Sequence, residues 1–221
     1  MPHTLRASYL LSAIVGGITA LTGIVLSGAF LALAGNGALG PADPFIELTV
    51  DGVRPLQAAI WTYFDALGVA PVVTWDSPAT ASVLVRRGVL TAVHGDAAAA
   101  LRLLPPVLLT FAGGAAVVLT RHLSRDGGGR DATTASVGPG VGSAIALGYA
   151  PVSVLALRAG TVPVAPESAG VVAIGGTTVN GTVLSGVTAG PSPLVAMLVA
   201  IGYPLLFGLV GGGLVSFVNI E

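Results

Sequence analysis

Between Tyr9 and Ala34 the chain runs for 26 consecutive residues without one charged side chain. As a helix that run is about 39 Å long at roughly 1.5 Å per residue, more than the ~30 Å hydrocarbon core of a bilayer. A soluble domain has no surface on which to hide so long an apolar rod, so the run predicts a transmembrane helix over 9–34. A secretory signal peptide is the competing reading, because Arg6 precedes the run and Ala32, Leu33, Ala34 and Gly35 form an A-x-A type cleavage site. Signal h-regions are only about 7–15 residues long, and the length favours a retained span.

The rest of the chain agrees with membrane residence. Apolar residues make up 53% and charged residues 9% of the sequence, against about a quarter charged in soluble domains. Three further apolar stretches are long enough to cross or nearly cross: 103–120 (LLPPVLLTFAGGAAVVLT), 141–157 and 194–218. Asp96 is placed to cap a helix entering the second span, and Pro105 and Pro106 are expected to start or bend it at a membrane face. Pro151 and Pro204 fall inside the third and fourth spans, where neighbouring helices satisfy the carbonyls that proline frees. The expected fold is an all-α membrane protein, a bundle of about four transmembrane helices with a long extracellular loop after the first.

The connections set the expected orientation. Arg6 precedes the first span, and Arg121, Arg125 and Arg130 lie in the 121–137 connection. Arginine concentrates in short cytoplasmic connections, so both segments are read as cytoplasmic. The connection over 35–99 holds six acids (Asp43, Glu47, Asp51, Asp65, Asp76, Asp96) against Arg54, Arg86 and Arg87, and it is placed outside, as is 158–193. Both termini are then cytoplasmic and the protein is a multi-pass component of the cell membrane. Gly127–Gly129 reads as a flexible linker.

Two stretches admit alternatives. Residues 170–190 (GVVAIGGTTVNGTVLSGVTAG) are mildly apolar, but their alternating Val and Thr with frequent Gly suit a strand pair or loop better than a lipid-facing helix; a fifth span is the alternative. Residues 56–70, which include IWTYFDALG, read either as an interfacial helix resting Trp61, Tyr63 and Phe64 at headgroup level, with Trp75 nearby, or as the core of a small extracellular subdomain.

Function classes are excluded more readily than assigned. The chain has no cysteine, which removes disulfides, thiolate metal sites and cysteine nucleophiles. His3, His94 and His122 lie far apart and on different sides, so no metal site is expected. No G-x-S-x-G elbow supports a hydrolase built on His94 and Asp96, and the Gly-rich runs lack the context of a phosphate-binding loop. No cofactor is implied and the chain is read as non-enzymatic. A formal net charge of -1 gives no electrostatic footprint for nucleic acid. No Asp, Glu, Arg or His lies well inside a span, which disfavours ion-coupled transport.

The residues that remain of interest are small or polar. Ser12, Gly16, Ala20, Gly23 and Ser27 recur at steps of four and three, a face that permits close helix approach. It would meet another helix of the chain or, through Gly16, Ala20 and Gly23, a second copy or another membrane protein. Gly148, Tyr149, Ala150, Pro151 and Gly202, Tyr203, Pro204 repeat a broken-helix pattern that in transporters marks a substrate site, although a packing kink explains it as well; Tyr149 and Tyr203 are the bundle-interior polar candidates. Asn180, Gly181 and Thr182 form an outer glycosylation sequon.

The stretches DGVRPLQAAIWTYFDALGVAPVVT, LRLLPPVLLTFAGGAAVV and AGPSPLVAMLVAIGYPLLFGLVGGG resemble those of a family of uncharacterised haloarchaeal multi-pass membrane proteins. The resemblance implies a haloarchaeal cell membrane, in keeping with basic residues that are all arginine and acids that are mostly aspartate. Members share the long outer loop after the first helix, and some are loosely labelled transporters. It implies no catalytic residue. The expected role is partner or envelope contact, with a passive carrier or pore for a small neutral solute as the alternative.

Overall fold

A computed structural model describes residues 3–34, 54–77, 80–86, 96–126, 139–163, 171–174, 177–180 and 187–218. Four helical segments are long and apolar enough to cross a membrane: Ala7–Leu33, Ala99–Leu123, Pro139–Gly160 and Pro193–Phe217. They belong to α1 (His3–Ala34), α3 (Asp96–Asp126), the pair α4 (Pro139–Ser143) and α5 (Ala146–Gly160), and α6 (Pro193–Phe217). The four-span membrane bundle expected from the sequence is the fold.

Several boundaries differ. α3 begins at Asp96 and carries Pro105 and Pro106 inside it, so the helix neither starts nor ends at the proline pair. It also runs to Asp126, which makes the first six residues of the 121–137 connection helical. The third span is interrupted by a turn at Ala144–Ile145, carried by the short-range bonds Leu147 N–H to Ala144 O (3.0 Å) and Gly148 N–H to Ile145 O (3.2 Å). Pro151, whose missing N–H frees the carbonyl of Leu147, lies within the helix that follows the break.

The chain divides into two compact units. The first comprises residues 1–23, 103–155 and 197–221. Its helices approach at glycines. A Cβ at Gly16 would run into the backbone of Ile145, and one at Gly148 into the backbone of Ala13. On α6, Gly208 meets Gly113 of α3 and Gly142 of α4, while Gly211 meets Thr110 and Gly212 lies against Gly142. The hydrophobic effect does not drive helices together in lipid, so association rests on van der Waals contact and weak polar contacts, which small residues maximise. The opposite side of α1, with Leu10, Ile14, Ile18 and Leu21, is exposed, as a lipid-facing stripe requires.

The second unit comprises residues 24–102 and 156–196. It contains α2 (Pro55–Ala66) and the strands β1 (Pro71–Ser77), β2 (Thr80–Arg86), β3 (Val162–Pro163), β4 (Val171–Ile174), β5 (Thr177–Asn180) and β6 (Val187–Pro191). α2 starts with Pro55 at its first position, and the Arg54 N–H donates to Gln57 Oε1 at 2.8 Å. It ends at Gly68, whose φ of 84° suits glycine. There Gly68 N–H donates to Asp65 O (2.9 Å) and Val69 N–H to Phe64 O (2.8 Å), with Val69 and Phe64 both buried, the pattern of a Schellman stop.

The chain then enters a four-stranded antiparallel sheet of order β2-β1-β6-β3. β1 pairs along β6 from Pro71 opposite Pro191 to Trp75 opposite Val187, and its register with β2 shifts between Val73 and Thr74. Among the described residues β4 and β5 pair only with each other, Val171 opposite Asn180 through Ile174 opposite Thr177. The described parts of 170–190 are therefore strands, which removes the fifth-span alternative for them. Within the unit α2 is buried from Ala59 to Phe64. The interfacial reading of 56–70 is corrected accordingly: Trp61, Tyr63 and Phe64 are 4%, 1% and 0% exposed and form a protein core.

Candidate functional site

The polar side chains of the spans decide what chemistry the bundle offers. Serine and threonine hydroxyls within helices donate back to carbonyls one turn earlier: Ser12 Oγ to Ser8 O (3.0 Å), Thr19 Oγ1 to Val15 O (2.7 Å), Thr110 Oγ1 to Pro106 O (2.8 Å) and Thr120 Oγ1 to Ala116 O (2.8 Å). A hydroxyl bonded to its own helix is satisfied without a solute. Ser27 and Ser153 are the buried hydroxyls without a partner among the described residues, and they belong to different units.

Tyr149 is fully buried in the first unit, whereas Tyr203 is half-buried and packs on Phe207 of its own helix, ring centroids 5.4 Å apart. The repeated Gly-Tyr-Pro pattern thus lands in two different settings. Of the two tyrosine-bearing glycines, Gly148 is pressed against the Ala13 backbone, while Gly202 faces open space. The small face of α1 is buried at Ser12, Gly16, Ala20, Gly23 and Ser27. Gly16 meets Ile145 of the same chain, so at that residue the partner is intramolecular.

Two long-range polar contacts were not foreseen. In the second unit Trp61 Nε1 donates to Gly160 O at 2.6 Å, satisfying one of the carbonyls that the end of α5 leaves free. A Cβ at Gly160 would lie 2.7 Å from Ile60 Cγ2, so a larger residue there would push the Ile60 side chain aside. In the first unit Arg121 Nη1 donates to Val215 O at 3.3 Å, near the end of α6. The sequence named Trp61 only as an aromatic and Arg121 only as a topology marker. A tryptophan needing a partner for its N–H when buried was the available signal; which carbonyl would accept it had none.

Asn180 closes β5 opposite Val171, and the rest of its sequon, Gly181 and Thr182, lies outside the described residues. His94 and Gly127–Gly129 also lie outside them, and His122 is exposed near the end of α3. Among the described residues no group of three or more His, Asp or Glu is placed to hold a metal ion.

A family model described as "Family of unknown function (DUF7978)" matches residues 2–219. No curated protein and no solved structure matches the chain.

Proposed function

We propose that this chain, which belongs to the Family of unknown function (DUF7978), is a non-enzymatic multi-pass protein of a haloarchaeal cell membrane that presents its second unit to an envelope partner. Membrane residence rests on the four apolar helices. The observation that carries the rest is the contact of span backbones at Gly16, Gly148, Gly113, Gly142, Gly208 and Gly211. Helices that touch at their backbones leave no width between them for a solute, and the hydroxyls of Ser12, Thr110 and Thr120 are bonded to their own helices. Both features support an anchor over a passive carrier or pore for a small neutral solute.

In this reading the termini are cytoplasmic and the α2-and-sheet module is outside. The module has its own core around Trp61, Tyr63 and Phe64, which supports a folded surface rather than a connecting loop. Removing α2 would destroy that core, so the informative deletion is the β4–β5 hairpin, which no other strand among the described residues joins.

The test is cross-linking in native membranes of the full chain and of a variant with residues 171–180 replaced by a Gly-Ser linker. The expected result is a discrete partner captured by the first and lost from the second. Identical capture by both, or glycerol and urea flux into proteoliposomes above that of empty liposomes, would overturn the reading.

A further inference from the structure

We propose that the bundle binds one ordered water between the hydroxyl of Ser153 and the backbone carbonyl of Ala200. Both residues belong to the first unit, and each is 1% exposed.

Ser153 behaves unlike the other span hydroxyls of that unit. Ser12, Thr19, Thr110, Thr120 and Ser216 each donate to a carbonyl one turn earlier in their own helix, whereas Ser153 Oγ has no hydrogen-bond partner among the described residues. A hydroxyl sealed from solvent and left unpaired carries its full desolvation cost, and folded proteins meet such groups with a side chain, a carbonyl or a buried water.

The matching acceptor is on α6. Pro204 has no N–H, so the carbonyl four residues earlier, Ala200 O, loses its helical donor. Carbonyls freed in this way inside membrane helices are satisfied by neighbouring side chains or ordered water.

Register brings the two groups to one level. The third span and α6 run antiparallel: a Cβ at Gly212 would lie 3.3 Å from Pro139 Cα and 3.1 Å from Gly142 Cα, and one at Gly208 would lie 2.9 Å from Ile145 Cδ1. Tyr149 N–H donates to Ile145 O at 3.0 Å, so a helical turn separates these two residues. Steps of four from Ile145 and Gly208 then set Tyr149 opposite Pro204 and Ser153 opposite Ala200, since residues four apart share a helical face. All six are buried, as two facing ridges require. Ser153 Oγ makes no direct bond to Ala200 O, and a donor and acceptor that face each other beyond direct reach are joined by water. The water accepts from Ser153 and donates to Ala200, within the roughly two to four bonds of a buried water.

The test is water-edited solid-state NMR of the full chain in liposomes, with carbon-13 in serine, threonine and alanine. Magnetisation from water should reach Ser153 Cβ and Ala200 C′ severalfold faster than Thr120 Cβ and Ala116 C′. That second pair is a buried hydroxyl and carbonyl bonded to each other, three residues from the end of its span at Leu123, against seven from Ser153 to Gly160. Ser153→Ala should abolish the fast transfer to Ala200, and Pro204→Ala, which returns an N–H to the Ala200 carbonyl, should slow the transfer to Ser153. Transfer to Ser153 and Ala200 no faster than to Thr120 and Ala116 overturns the proposal, and this comparison needs only the native chain if a variant fails to fold. Fast transfer to Ala200 that survives Ser153→Ala also overturns it, because the water would then sit at the carbonyl without the hydroxyl.

Discussion

Gly148→Ala is the sharpest perturbation of the bundle. The added Cβ would sit 2.5 Å from the carbonyl carbon and 3.0 Å from the Cα of Ala13. Neither is a side chain that can swing away, so α1 and α5 must part by on the order of 1 Å, enough to forfeit a quarter to a half of each contact's attraction. Overpacking of this kind costs about 1–3 kcal/mol, and a backbone obstacle puts it toward the top of that range. Alanine returns up to about 1 kcal/mol through helix propensity, leaving a net loss of roughly 1–2 kcal/mol. Gly202→Ala gives the same propensity gain with nothing within 4 Å of its Cβ, so it should be neutral or stabilising. In thermal unfolding of the detergent-solubilised chain, Gly148→Ala should melt several degrees lower than the native protein, on a scale of about 2–4 °C per kcal/mol for a chain of this length. Equal melting of Gly148→Ala and Gly202→Ala would refute the argument that backbone contact at this seam holds the bundle closed.

The second unit and the orientation each have their own check. Trp61→Phe removes the donor to Gly160 O while keeping a ring in the core, and leaving that carbonyl without its partner should destabilise by about 1–3 kcal/mol; because Trp75 is then the sole tryptophan, its fluorescence follows the melt directly, and an unchanged midpoint would deny the indole bond a structural role. A protease site appended after Glu221 should be cut in inside-out vesicles and protected in right-side-out ones. Cleavage from the outside would remove the four-span, both-ends-inside arrangement.

The spans were legible because a run without charge is a local property, and the small face of α1 because its period is local too. What α1 meets was not: Gly16 and Ile145 are far apart in sequence, and nothing in either stretch names the other. The sheet was harder still. β1 and β6 pair Trp75 with Val187 across more than a hundred residues, so the Val and Thr content of 170–190 could suggest a strand but not its neighbour. With its sheet partner unseen, the aromatic segment around Trp61 had two readings, and burial against the rest of the unit separates them. Proline likewise announced irregular helices without fixing where: Pro151 sits in a helical turn while the break falls at Ala144–Ile145.

Arginine placement carried the orientation, and the helix ends change how it should be weighed. α3 begins at Asp96, so Arg102 lies within its opening turns, and Arg158 occupies the last turn of α5; four alternating spans put these two at the same end of the bundle. Arginines therefore occur at both ends, and a bare count loses its force. Connection length restores the distinction. The bias acts through short connections, whereas loops beyond about 60 residues cross largely regardless of charge. Arg86 and Arg87 belong to the longest connection, while Arg121 and Arg125 lie in the closing turns of α3 and Arg130 in the short connection that follows it. Arg121, in the closing turns of α3, is additionally tied to Val215 near the end of α6, so these two helix ends lie together, and the side on which a tag after Glu221 is found tests the orientation of both.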